Sequence, residues 1–190
     1  MAEFTLHTEQ TAPDRSKPLI ERTKATFGVL PNLHAVMAEA PGLLEGYLVL
    51  HRLFLESSFT DEEKTVVWQS INVEHDCHYC VPSHTGIAKR MGIDDAVSDA
   101  LRRETPLPTP KLEALRQFTL QMVRERGVMS DRQVDAFLAA GFTSRQVLEV
   151  VLAVSQKVMS NYTNKLVNTP IEPYFEKFAW QRTPAAEPVA

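Results

Sequence analysis

The feature that most constrains this chain is helical punctuation. Apolar residues recur at spacings of three and four almost from end to end, and no run shows period-two alternation bounded by hairpin turns. Three capping boxes mark helix starts: Thr60–Glu63 (TDEE), Ser130–Gln133 (SDRQ) and Thr143–Gln146 (TSRQ). Gly28, Gly92, Gly127 and Gly141 stand where the preceding helical patterns stop. The expected fold is therefore all-α, a helical bundle with one domain over residues 15–180.

The spacing predicts helices over 15–27, over a short piece after Asn32, and from Pro41 to about Ser57. Further helices are expected from Thr60 to about His75, through the cysteines to Met91, after Asp94, and over 111–126, 131–139 and 144–168. The run TPLPTP at 105–110 carries three prolines and reads as an extended linker between two halves. Residues 1–14 read as an N-terminal arm and 181–190 as a flexible tail, with the aromatic, proline-broken PIEPYFEKFAW between bundle and tail. The last long helix carries Val147, Leu148, Val150, Val151, Leu152, Val154 and Val158 over much of its surface. Such a helix is either a central core helix or one that meets a second copy of the chain.

Composition excludes several function classes. A formal net charge of −4 over 190 residues gives no basic footprint for nucleic acid. No apolar run approaches membrane-spanning length, and the N-terminal stretch lacks the basic start and apolar core of a secretory signal. A cytoplasmic location is the expectation. In that reducing compartment a close cysteine pair points to catalysis, redox sensing or metal binding rather than to a structural staple.

Both cysteines lie in EHDCHYCVPSHTG, residues 74–86. Pro82 is tolerated only in the first turn of a helix, so a helix over this segment must begin close to Cys80. The unpaired N–H groups and dipole there favour a thiolate. His84 lies four residues on, on the same helical face, in reach for direct or water-bridged proton transfer. Cys77, one turn earlier, can close a disulfide with Cys80. These parts suffice for a thiol redox cycle in which Cys80 attacks an oxidised substrate, such as a peroxide O–O bond, and the sulfenic acid condenses with Cys77. Two alternatives stay open. A metal could take Cys77, Cys80, His84 and one of His75, His78 or Asp76, although no second ligand pair exists elsewhere. The thiols could instead serve as a protein-disulfide reductase or redox sensor.

The run CHYCVPSH resembles the C-x-x-C-x-x-x-H signature of the alkylhydroperoxidase D-like branch of the carboxymuconolactone decarboxylase superfamily. The segment from Phe27, FGVLPNLHAVMAEAPGLLEGYLVLHRLFLESSFTDEEKTVV, resembles that family's lead-in, and EVVLAVSQKVMSNYTNKLVNTPIEP its closing helix. The likeness covers roughly residues 20–178. It implies an all-α subunit that forms homo-oligomers and reduces hydroperoxides without haem, flavin or metal, recharged by a dithiol protein. Cys80 matches the peroxidatic cysteine, Cys77 the resolving cysteine and His84 the relay histidine. Members on the decarboxylase side generally lack the cysteine pair, which points away from lactone chemistry. One departure matters most. The family's relay glutamate, twelve residues before the first cysteine, is Thr65 here, and threonine accepts no proton at neutral pH. Glu62 and Glu74 are the nearby carboxylates, and Gln69 shares the Thr65 face. Tyr79 stands where some members have a second histidine, and Pro82 replaces a usually small residue. The departures imply a weaker or altered peroxidase.

Overall fold

The structure is a computed structural model that describes residues 3–182, so the end of the expected tail, residues 183–190, lies outside the described residues. Among the described residues there are nine α-helices and no strand: α1 Lys17–Phe27, α2 Asn32–Met37, α3 Pro41–Leu55, α4 Asp61–Glu74, α5 Cys80–Arg90, α6 Asp95–Arg103, α7 Pro110–Arg124, α8 Asp131–Ala139 and α9 Ser144–Val167. Short 3-10 turns at Asp14–Ser16 and Pro173–Phe178 flank them. No single helix among them is long and apolar enough to cross a membrane.

The starts follow local chemistry. All three capping boxes form, with the Thr60, Ser130 and Thr143 hydroxyls accepting from the backbone N–H three residues on and the Glu63, Gln133 and Gln146 side chains reaching back. Asp94 caps α6 by accepting from Ala96 N–H.

The centre of the bundle is α4, with every residue from Glu63 to Val73 buried. Helices α5, α6, α7 and α9 pack around it, and α3 lies along α9. One apolar cluster, including Phe54, Trp68, Ile71, Leu115, Phe118, Phe137 and Val150, joins α4 to α6–α9. A second, built from Ile20, Leu33, Met37, Leu44, Tyr47, Tyr79 and both cysteines, lies under α1–α3. Helix α9 has one core face and one exposed face. Val150, Ala153, Lys157 and Asn161 face inward, while Leu148 (69 %) and Leu166 (76 %) stand in solvent with Val151 and Tyr162.

The N-terminal arm is tied down. His7 is buried, with its N–H on the Ala35 carbonyl and its ring against Glu39. The C-terminal aromatic segment packs on α5, where Phe175 and Phe178 lie so close to Gly86 that a Cβ there would meet Phe175 at 2.6 Å. A side chain at residue 86 requires the Phe175 ring to shift.

Candidate active site

The end of α4 positions the first thiol. His75 closes the helix and Asp76 takes the left-handed conformation at φ 49°. Asp76 N–H then bonds the Val73 carbonyl and Cys77 N–H the Asn72 carbonyl, both across about 3 Å. This Schellman turn ends α4 and sets Cys77 at the mouth of α5. Aspartate tolerates the left-handed region better than most side chains, and Lys165 pairs with its carboxylate at 3.3 Å.

Helix α5 begins at Cys80, with Pro82 in its first turn, where a missing N–H costs nothing. Cys80 N–H donates to Cys77 Sγ at 3.3 Å, so the first sulfur serves as a cap for the helix carrying the second. Both cysteines are free thiols, 0 % (Cys77) and 2 % (Cys80) exposed.

The surroundings of Cys80 are polar and come from the far end of the chain. Asn164 Nδ2 donates to Cys80 Sγ at 3.2 Å. Asn161 donates to Asn72 Oδ1 at 3.0 Å and accepts from His75 Nδ1 at 2.9 Å, which fixes its amide. Asn72 in turn donates to Gln69 Oε1 at 2.9 Å, and Gln69 Nε2 to the Val81 carbonyl and Thr85 hydroxyl, both at 3.1 Å. Gln69 is therefore fully engaged in holding the first turns of α5.

His84 is buried beside Trp68, with its Nε2 3.1 Å from Lys157 Nζ. The hydrogen bond of the imidazole thus goes to a lysine on α9 rather than to the Cys80 thiol four residues before it. Lys157 is 1 % exposed and pairs with no carboxylate among the described residues. Next to it, Gln156 accepts from the Trp68 indole N–H at 2.8 Å and donates to His51 Nδ1 at 3.4 Å.

The electrostatics separate the two thiols. Burial pushes Cys80 up, but a hydrogen bond from Cys77, the Lys157 charge and the Asn164 and Asn161 amides outweigh it and bring the thiol down to about 6. Cys77 is pushed well up, first by its hydrogen bond to the Cys80 sulfur and then by burial. Burial drives His84 far below the ordinary histidine range, with the Lys157 charge adding to it, and burial likewise lowers Lys157. The arrangement sets a thiol that loses its proton readily beside one that holds it, close to a buried imidazole–amine contact.

The structure places the other sequence candidates elsewhere. The Thr65 hydroxyl donates to the Asp61 carbonyl at 2.9 Å, inside its own helix. Glu74 is bound by Arg124 and Arg182, with the Arg124 hydrogen bonds holding its carboxyl below the usual range. His78 donates to the Thr169 carbonyl at 3.1 Å. No group of three or more His, Cys, Asp or Glu side chains among the described residues converges to hold a metal ion.

No protein-family model matches the chain, and no curated protein sequence matches it. Solved structures do. The chain superposes on an uncharacterized peroxidase-related protein with the alkylhydroperoxidase AhpD core from Ralstonia eutropha JMP134 with a TM-score of 0.80, at 18 % identity, over 96 % of this chain and 97 % of the other. The fold is that of the alkylhydroperoxidase AhpD core. A peroxidase-related protein from Silicibacter sp. TM1040 shares this AhpD fold at TM-score 0.76 and 16 % identity, covering 92 % of each chain. So does a variant of the debrominase Bmp8 in complex with 2,3,4-tribromopyrrole, at TM-score 0.76 and 14 % identity, covering 94 % of this chain and 95 % of that one.

Within this AhpD fold, Lys157, Asn161 and Asn164 are the site residues that reading the sequence missed. Their signal is a polar stripe at spacings of four and three running through SQKVMSNYTNKL on an otherwise apolar helix. A lysine and two asparagines on a buried face require partners, and the partners are His84, Asn72 and Cys80.

Proposed function

We propose that the protein is a thiol-dependent hydroperoxide reductase in which Cys80 attacks the peroxide, Cys77 resolves the product to a disulfide and His84 belongs to the proton relay. The observation that carries this reading is the asymmetry of the pair. The sulfur at the start of α5 receives Asn164 N–H and faces the Lys157 charge, while Cys77 keeps its proton. A thiolate formed near neutral pH with a protonated thiol beside it is the reduced state such a cycle needs. A dithiol protein would recharge the disulfide by exchange. Homo-oligomerisation belongs to the same reading, supported by the exposed Leu148, Val151, Tyr162 and Leu166 on α9.

Consumption of hydrogen peroxide and cumene hydroperoxide with dithiothreitol as reductant tests the proposal. Wild type turns over and Cys80→Ser is inactive; with dithiothreitol removed, reduced Cys77→Ser consumes one equivalent of peroxide and holds a sulfenic acid that dimedone traps. Activity in Cys80→Ser contradicts the assignment.

A second reading rests on the aromatic surroundings. Trp68, His51 and Tyr47 are stacked ring against ring beside His84, with centroids 5.2–6.0 Å apart. Aromatic faces are partners for planar rings, and the debrominase neighbour was solved with a brominated pyrrole. Bromide release from 2,3,4-tribromopyrrole in the same assay, faster than peroxide consumption, favours dehalogenation.

A further inference from the structure

Lys157 is a buried amine with no carboxylate partner among the described residues. The titratable groups that face it are His84 from α5, His51 from α3, His75 from α4 and the two thiols. The three imidazoles are all held neutral, chiefly by burial. A lone buried ammonium is costly, by several kcal/mol per ion, so only a negative group nearby makes it tenable. Among the described residues, a Cys80 thiolate is the neighbour that can supply that charge. Lys157 Nζ lies 3.1 Å from His84 Nε2; an ammonium there donates to that nitrogen, with the neutral imidazole proton then on Nδ1.

We propose that Lys157 is the proton-carrying counter-ion of Cys80: it balances the thiolate as an ammonium in the reduced protein, and it yields that proton to the leaving oxygen when Cys80 is oxidised. The inference deepens the hydroperoxide reading and fills the relay position that Thr65 leaves empty. The Cys80 thiolate attacks the terminal peroxide oxygen, an S–O bond forms and the O–O bond breaks. The departing alkoxide takes a proton from the Lys157 ammonium, leaving Cys80 sulfenic acid, an alcohol and a neutral amine. Cys77 sulfur then displaces hydroxide, which leaves as water with the Cys77 proton, and the disulfide forms. Sulfur is oxidised by two electrons and the peroxide is reduced by two. With the thiolate gone, Lys157 has no counter-charge and stays neutral until a dithiol reductant restores the thiols. A proton then returns from Cys80 to the amine.

Thiolate absorbance near 240 nm in the full-length reduced chain reads the first half of the proposal. Wild type is expected to titrate with a midpoint about 6. Lys157→Met, which keeps the packing without the charge, is expected to raise it so that thiolate at pH 7 falls by roughly tenfold. Lys157→Arg is expected to retain the thiolate but to be oxidised by hydrogen peroxide at least about tenfold more slowly, because guanidinium does not give up its proton. The wild-type chain gives a readout that needs no variant. Oxidation by hydrogen peroxide at pH 7 in unbuffered solution takes up no net proton per disulfide when the lysine supplies it, and one when it does not. An unshifted midpoint in Lys157→Met, wild-type oxidation in Lys157→Arg, or uptake of one proton overturns the proposal. A wild-type chain that keeps its thiolate absorbance in peroxide overturns the hydroperoxide reading instead, and the Lys157→Met titration still decides whether Lys157 is the counter-ion.

Discussion

Asn164 donates to Cys80 Sγ across 3.2 Å, so the last turns of α9 hold the sulfur that opens α5. A hydrogen bond to a charged acceptor is worth about 1.5–3 kcal/mol, and a pKa unit about 1.4 kcal/mol. Asn164→Leu, which keeps the volume but not the donor, is expected to raise the Cys80 midpoint by about one to two units. Thiolate absorbance measures it, and a midpoint left where it was would remove Asn164 from the site's electrostatics.

Acid is expected to destabilise the fold before any carboxylate titrates. Burial, helped by the neighbouring His51, holds His34 down to about 3, and burial with the Lys157 charge holds His51 down to about 4, against 6.5 for the unfolded chain. Above pH 6.5 both rings are neutral in either state and contribute no pH dependence. Below it the unfolded chain binds protons that the native rings refuse, so stability falls as pH falls. At pH 5 the loss is about 2 kcal/mol from each ring, and His84 adds to it in the same direction. Urea midpoints at pH 7 and pH 5 check this, with the lower midpoint expected at pH 5.

Gly86 is a packing requirement. A Cβ there meets Phe175 at 2.6 Å and Phe178 at 3.0 Å. Gly86→Ala is expected to cost about 1–3 kcal/mol by overpacking and to loosen the C-terminal aromatic segment. Trp180, whose indole N–H donates to the Arg102 carbonyl at 2.9 Å, reports the loosening as a red-shifted fluorescence. Unchanged emission and an unchanged urea midpoint would show that the segment yields freely.

The turn that delivers Cys77 depends on Asp76 at φ 49°. Asp76→Gly is expected to keep stability within about 1 kcal/mol of wild type, because glycine accepts the left-handed conformation. Asp76→Val places a β-branched residue there and is expected to cost about 1–3 kcal/mol. Thermal unfolding of the two variants separates backbone conformation from the surface ion pair with Lys165.

Helix starts and the entry to the site were legible because their causes are local. A capping box is four consecutive residues, and Pro82 restricts the helix start within its own turn. Cys77, Cys80 and His84 lie in eight consecutive residues, so they are close whatever the tertiary fold. The partner of His84 was not legible in that way. Lys157 is 73 residues away from it, and a lysine among valines on a long helix reads as a surface residue until the packing of α9 on α4 and α5 turns it inward. The replacement for the relay carboxylate was sought near Thr65 on the same helix, but α4 is buried from Glu63 to Val73, and Glu74 at its end is engaged with Arg124 and Arg182. The role of α9 was ambiguous for the same reason: inward and outward faces of a mostly apolar helix differ only once its neighbours are placed.

The central claim is that Cys80 and Cys77 form a peroxide-reducing pair, and intact-mass analysis tests it most directly. Fully reduced protein is treated with one equivalent of hydrogen peroxide at pH 7, then alkylated, weighed and digested. The account expects loss of two hydrogens, no alkylated cysteine, and one peptide joined through Cys77 and Cys80. Two alkylated cysteines and an unchanged mass after the peroxide has had time to react would contradict it.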